Sequence, residues 1–221
     1  MRTQFRDRFD AGELLAEKLT GFANKPDVIV LALPRGGVPV GAQVARRLNV
    51  PLDVFVVRKL GLPGHPELAM GAIASGGVRV FNGDVVNSLR IPDEVIDAVT
   101  AKELQELQRR ERSYRDDLPP PEVEGKTVIV VDDGVATGST MAAAVGALRQ
   151  LGAGRIIVAT PTIARSTYNY LSTSADEVVA VIVPEEFYGV GQWYEDFTQT
   201  SDEEVQELLR EMNRPVTPVP V

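Results

Sequence analysis

The chain has 221 residues, 44% of them hydrophobic, no cysteine and a formal net charge of −8. That size can bury a substantial core, no apolar run approaches a membrane span, and no signal peptide is apparent. The absence of cysteine excludes disulfides, thiolate metal sites and cysteine nucleophiles and is compatible with a cytoplasmic protein, while the acidic balance argues against a nucleic-acid surface.

In chain order, the patterning predicts a helix over 10–20, a strand over 28–33, a helix over 38–48 and a strand over 52–57, which is the alternation of βαβ units around a parallel sheet. The first strand runs into LPRGGVPVG, residues 33–41. There Gly36 and Gly37 let backbone amides approach an anion, and Arg35 adds a bidentate donor for phosphate oxygens. Taken alone, the same string is also an ordinary glycine-rich helix entry with a surface arginine. Residues 57–70, VRKLGLPGHPELAM, put Arg58 and Lys59 at a strand end. A loop punctuated by Gly61, Pro63, Gly64 and Pro66 follows, of a kind that can move. His65 is the only histidine and reads as a solvated loop residue; one histidine supports no metal site.

Strand-like segments return at 68–74 and 78–81, followed by a charged helix over 92–118 that ends at Pro119, Pro120 and Pro121. Its Glu106/Arg110 and Glu111/Arg115 pairs stand at i,i+4 spacing, as on a solvated or dimer-facing helix. No internal repeat is visible.

The most informative stretch is VIVVDDGVATGSTM, residues 128–141. Four β-branched residues form a buried parallel strand, and Asp132 and Asp133 fall at its carboxyl end, where open α/β sheets bind ligands. Two carboxylates there can accept hydrogen bonds from a diol such as ribose and stabilise positive charge on the sugar. The loop Ala136, Thr137, Gly138, Ser139, Thr140 then opens a helix over 141–151, whose first amides and dipole suit a phosphate. Neither a Walker A lysine nor the three glycines of a dinucleotide fingerprint is present. In isolation the string also fits a plain βα connection capped by Asp or Thr. Strands at 156–160 and 178–183 precede PEEFYGVGQWYEDF, residues 184–197, which concentrates aromatic rings that either stack on a flat acceptor or pack a small subdomain. The proline-rich tail over 214–221 reads as extended or disordered, leaving 1–213 as one domain.

The 128–141 string resembles the PRPP-binding signature of type I phosphoribosyltransferases, and its ATG-S-T form is most similar to the adenine-type version. The resemblance extends over 28–197 and implies that family's Rossmann-like α/β fold: a central parallel sheet flanked by helices, a small hood and a flexible loop. It implies that Asp132 and Asp133 hold the ribose hydroxyls of PRPP and that Ala136 through Thr140 hold its 5′-phosphate. It further implies that Arg35, Gly36 and Gly37 bind pyrophosphate, that Arg58, Lys59 and Glu67 act from the flexible loop, and that Phe187, Tyr188 and Trp193 supply acceptor contacts, with Phe187 as the best stacking candidate. Related pyrophosphate loops use a non-proline cis bond, which makes the Pro34–Arg35 peptide a candidate for one.

By the same resemblance the reaction is transfer of a 5-phosphoribosyl group from magnesium-bound PRPP to an acceptor nitrogen of a small molecule. No protein metal site, nucleic acid or membrane is implied, and a homodimer is compatible. Two departures argue against a 6-oxopurine acceptor. Ala136 stands where that branch places a catalytic aspartate, and Ala175, Asp176 and Glu177 replace its lysine. The rival reading from another class is a PRPP-binding regulator without turnover; hydrolysis of a phosphorylated sugar lacks a nucleophile or metal cluster.

Overall fold

The structure, a computed structural model, describes residues 4–115 and 119–213, apart from the side chains at 66, 67 and 213. Helix α1 (Arg8–Lys18) leads into strand β1 (Val28–Ala32), helix α2 (Gly37–Leu48) and strand β2 (Leu52–Val54). A three-stranded antiparallel sheet follows, made of β3 (Val57–Leu62), β4 (His65–Ala74) and β5 (Val78–Phe81), and then helices α3 (Gly83–Ser88) and α4 (Asp93–Arg115). The second half alternates β6 (Thr127–Val131), α5 (Ser139–Gln150), β7 (Arg155–Thr162), α6 (Arg165–Leu171), β8 (Glu177–Ile182) and α7 (Asp202–Asn213).

Strands β2-β1-β6-β7-β8 form one sheet in that order, and every adjacent pair is parallel. The continuous apolar runs have a direct cause, because both faces of the sheet are covered. Val28, Val30 and Ala32 of β1, with Ile129 and Val131 of β6, face the helix layer of α1, α2 and α7, whereas Ile29 and Leu31, with Val128 and Val130, pack on α5 and Leu171 of α6. Burying each Val, Leu or Ile side chain contributes roughly 1.5–3 kcal/mol, so the strands that carry the site loops are held from both sides.

The strand expected over 52–57 is two strands in different sheets. The backbone changes partner within it: the Phe55 amide donates to Ala32 O at 2.9 Å, in the parallel sheet, while Val56 N donates to Ser75 Oγ at 2.9 Å and Val56 O accepts from Ser75 N at 2.8 Å, beside β4. The stretch from Gly61 to Pro66, expected as an open loop after a strand end at Arg58 and Lys59, is part of an antiparallel hairpin of β3 and β4 whose register shifts on either side of Gly61. The hairpin forms because Leu60 and Met70 have a place to be buried, in the same core as Leu107 of α4.

Helix α4 is likewise less solvated than its charges suggest. It buries Ile96, Thr100, Leu107, Tyr114 and Arg115, and both expected i,i+4 pairs form, Arg110 to Glu106 at 2.9 Å and Arg115 to Glu111 at 3.1 Å. Its last expected residues, 116–118, and the tail over 214–221 lie outside the described residues. Helices α3, α6 and α7 were not predicted. For α7 a signal existed, since Val205, Leu208 and Leu209 recur at helical spacing and are buried.

Candidate functional site

At the carboxyl ends of β1 and β6 two loops meet. Asp132 and Asp133 end β6, and the Arg35-Gly36-Gly37 turn leaves β1 beside them, because Val28 to Ala32 pair in register with Thr127 to Val131. The approach is close enough to require glycine. A Cβ at Gly36 would run into the Asp133 carboxylate, and one at Gly37 would lie 2.7 Å from Val131 O. Both loops then enter helices, α2 at Gly37 and α5 at Ser139. The Pro34–Arg35 peptide is cis, as the resemblance suggested.

In the loop before α5, Gly138 adopts φ +77°, and a Cβ there would stand 2.6 Å from Thr167 Cγ2. Thr167 also donates its hydroxyl to Ala136 O, so α6 fixes the loop from behind. No side chain caps the first turn of α5, while Thr137, Ser139 and Thr140 are exposed around it. This is the arrangement of amides and hydroxyls that receives an anion at a helix N-terminus. Asp132 is half-buried next to Asp133, and its desolvation, followed by repulsion from the neighbouring carboxylate, raises its pKa well above the ordinary range.

The phosphoribosyl transferase domain family matches residues 4–195. Two Mycobacterium tuberculosis proteins that carry the provisional name phosphoribosyl transferase are each 47% identical over 210 residues, which is 95% of this chain and 47% of theirs; the chain spans about half the length of these curated relatives. The crystal structure of TT1426 from Thermus thermophilus is 41% identical, with a TM-score of 0.84 over 95% of this chain and 99% of that one. The AQ2163 protein from Aquifex aeolicus, at 11% identity and a TM-score of 0.51, shares the fold alone. The chain belongs to the phosphoribosyl transferase family.

Within this phosphoribosyl transferase domain the structure adds residues that sequence reasoning missed. Arg8, from the first turn of α1, donates from Nε to Asp133 Oδ2 at 2.8 Å, with only 10% and 14% of the two side chains exposed. Arg8 lies 125 positions from Asp133, and no local pattern marks it. Tyr194 donates its hydroxyl to Asp133 O; burial, and then the Asp133 charge, raise its pKa.

Two of the three predicted leaving-group cations face acids from the helices. Arg58 gives both Nε and Nη2 to Glu103 Oε2 of α4, at 2.9 and 2.6 Å. Arg35 stands 4.0 Å from Asp202 of α7, whose Oδ1 accepts from the Tyr114 hydroxyl at 2.6 Å. Burial and that hydrogen bond push the Tyr114 pKa up to about 12. Lys59 is exposed on β3, and the Glu67 side chain lies outside the described residues.

The aromatic segment divides. Tyr194 and Phe197 pack together, Phe5 packs on Tyr194, and the Arg8 guanidinium lies 4.0 Å from the Phe197 ring centroid. Phe187 leans on Trp193 with centroids 6.1 Å apart, and Tyr188 is 85% exposed. Part of this segment therefore packs against the start of the chain, Trp193 included, and Phe187 and Tyr188 are the two predicted acceptor rings outside that cluster. Among the described residues there is no cluster of His, Cys, Asp or Glu able to hold a metal ion, and no helix long and apolar enough to cross a membrane.

Proposed function

We propose that this domain transfers the 5-phosphoribosyl group of PRPP, which brings its own magnesium, to an acceptor nitrogen of a small molecule. The observation that carries the reading is the junction of the Arg35-Gly36-Gly37 turn with Asp132 and Asp133 beside the uncapped start of α5. One PRPP molecule needs these features together: an anion cradle for the 5′-phosphate, acceptors for the ribose hydroxyls and donors for the diphosphate.

In the reaction the bond from the anomeric carbon to the pyrophosphate oxygen breaks as the acceptor nitrogen bonds to that carbon. Asp132 and Asp133 hold the hydroxyls and stabilise the cationic sugar, while Arg35 and the glycine amides stabilise the departing anion. Positioning and electrostatic stabilisation supply the rate, with no covalent nucleophile. Arg58, Lys59 and Glu67 act on the leaving group from the hairpin, and Phe187, Tyr188 and Trp193 contact the acceptor.

The test is pyrophosphate release from PRPP and magnesium across a panel of purines, pyrimidines and small amines. Turnover with at least one acceptor is expected, and hypoxanthine and guanine are expected to be poor because Ala136 replaces the acid and 175–177 the lysine. PRPP binding without any pyrophosphate release across the panel would favour the regulator instead.

A further inference from the structure

The Arg8 side chain is buried at the junction of three parts of the molecule, and each of its contacts is different in kind. Nε donates to Asp133 Oδ2 at 2.8 Å, Nη1 donates to Thr198 O at 2.7 Å, and the guanidinium face covers the Phe197 ring at 4.0 Å. Only a planar fork with several fixed donors does all of this at once; an ammonium is a single point charge. The backbone around it is tied as well. Glu195 N donates to Phe5 O and Asp196 N to Arg6 O, both at 2.8 Å, so the start of α1 and the segment over 194–198 are zipped together beside Asp133. On the other side Asp133 Oδ2 abuts Gly36. Asp133 Oδ2 is thus enclosed between Arg8 and Gly36.

We infer that Arg8 is a positioning residue that couples the Asp133 carboxylate to the segment over 194–198, so that the sugar side of the site and the chain that follows the proposed acceptor residues are set by one side chain. The identification of those two parts rests on the PRPP reading; the coupling itself does not. Asp133→Asn keeps the side-chain size and removes the charge that Arg8 grips. It cuts the side-chain tie that runs through Arg8 to the 194–198 segment, while the Tyr194 hydroxyl bond to the Asp133 backbone stays in place.

The experiment is amide hydrogen exchange on the ligand-free full chain, with Asp133→Asn made in the wild-type, Arg8→Met and Arg8→Lys backgrounds. In the wild-type background Asp133→Asn should speed exchange at Glu195, Asp196 and Thr198 by about tenfold through local opening. In either Arg8 background it should add nothing. If Arg8→Met does not fold, the Arg8→Lys background decides. Calorimetry with PRPP and magnesium supplies the second readout. Arg8→Met should weaken binding by about tenfold, Arg8→Lys by less, and Arg8→Met should cost nothing more once Asp133 is Asn. Unchanged exchange over 195–198 in folded Asp133→Asn overturns the inference, as does strict additivity of the Arg8 and Asp133 substitutions. If wild type does not bind PRPP, the phosphoribosyl reading fails and the exchange data alone judge the coupling.

Discussion

Arg35 and Arg58, both assigned by sequence to the leaving group, sit in opposite physical situations. Arg35 lies on a turn whose course is set by backbone, with glycine approaching β6 so closely that no side chain fits, and its nearest acid is 4.0 Å away and half exposed. Arg58 lies on a hairpin strand and is clasped at 2.6 Å by a largely buried Glu103. A loosely paired arginine gives up little to meet an anion, whereas a doubly hydrogen-bonded one of similar exposure must first surrender a strong partner. The two loops assigned to the sugar and the phosphates are thus held by backbone packing, and the hairpin arginine is held by Glu103.

The largest expected effect tests the half held by backbone packing. Asp132→Asn with Asp133→Asn should leave the fold intact, by circular dichroism and melting, and weaken PRPP binding at least 100-fold, about 2.7 kcal/mol, in calorimetry. Unchanged affinity would remove the ribose assignment. Next, Gly36→Ala forces a methyl against the Asp133 carboxylate. It should cost about 1–3 kcal/mol in denaturant unfolding and weaken PRPP by about tenfold, and a neutral result would show that the turn tolerates a side chain after all.

The hairpin half is tested by Glu103→Gln. Releasing Arg58 should lower the PRPP KM by roughly threefold, about 0.6 kcal/mol, at the cost of about 1 kcal/mol of stability. A raised KM would mean that Glu103 aims Arg58 rather than restraining it. The smallest effect belongs to Asp132 alone. Its pKa is raised in the folded state, so the native protein binds more protons than the unfolded chain between the two values, and stability falls as pH rises through that window. Asp132→Asn removes this loss. It should raise the ligand-free melting temperature at neutral pH by roughly 2–4 °C, with the gain vanishing below about pH 4, as scanning calorimetry can check.

How much of this was legible depends on where the partners lie along the chain. The 128–141 string carried its strand, acids, turn and helix in consecutive residues, and 33–41 did the same for the second loop, so both site loops were readable from local pattern. The hairpin was misread because Gly61, Pro63, Gly64 and Pro66 look like loop punctuation; β pairing of 57–62 with 65–74 is decided by burial of Leu60 and Met70 in the core shared with α4. The aromatic segment was half legible, since composition reveals a cluster of rings but not that Phe5 and Arg8 arrive from the other end of the chain to claim Tyr194 and Phe197.

By itself the sequence determined the parallel α/β architecture and the placing of two glycine-containing loops at strand ends before helices, because strand periodicity, glycine geometry and helix N-termini are local properties of a few adjacent residues. Tertiary structure alone decided which polar groups meet: Arg8 with Asp133, Arg58 with Glu103, and Asp202 with Tyr114, separated by 125, 45 and 88 positions. Such pairings carry no periodic signature. They form only when packing of α1, α4 and α7 brings their side chains within a few ångströms, and burial there removes the water that would otherwise screen them.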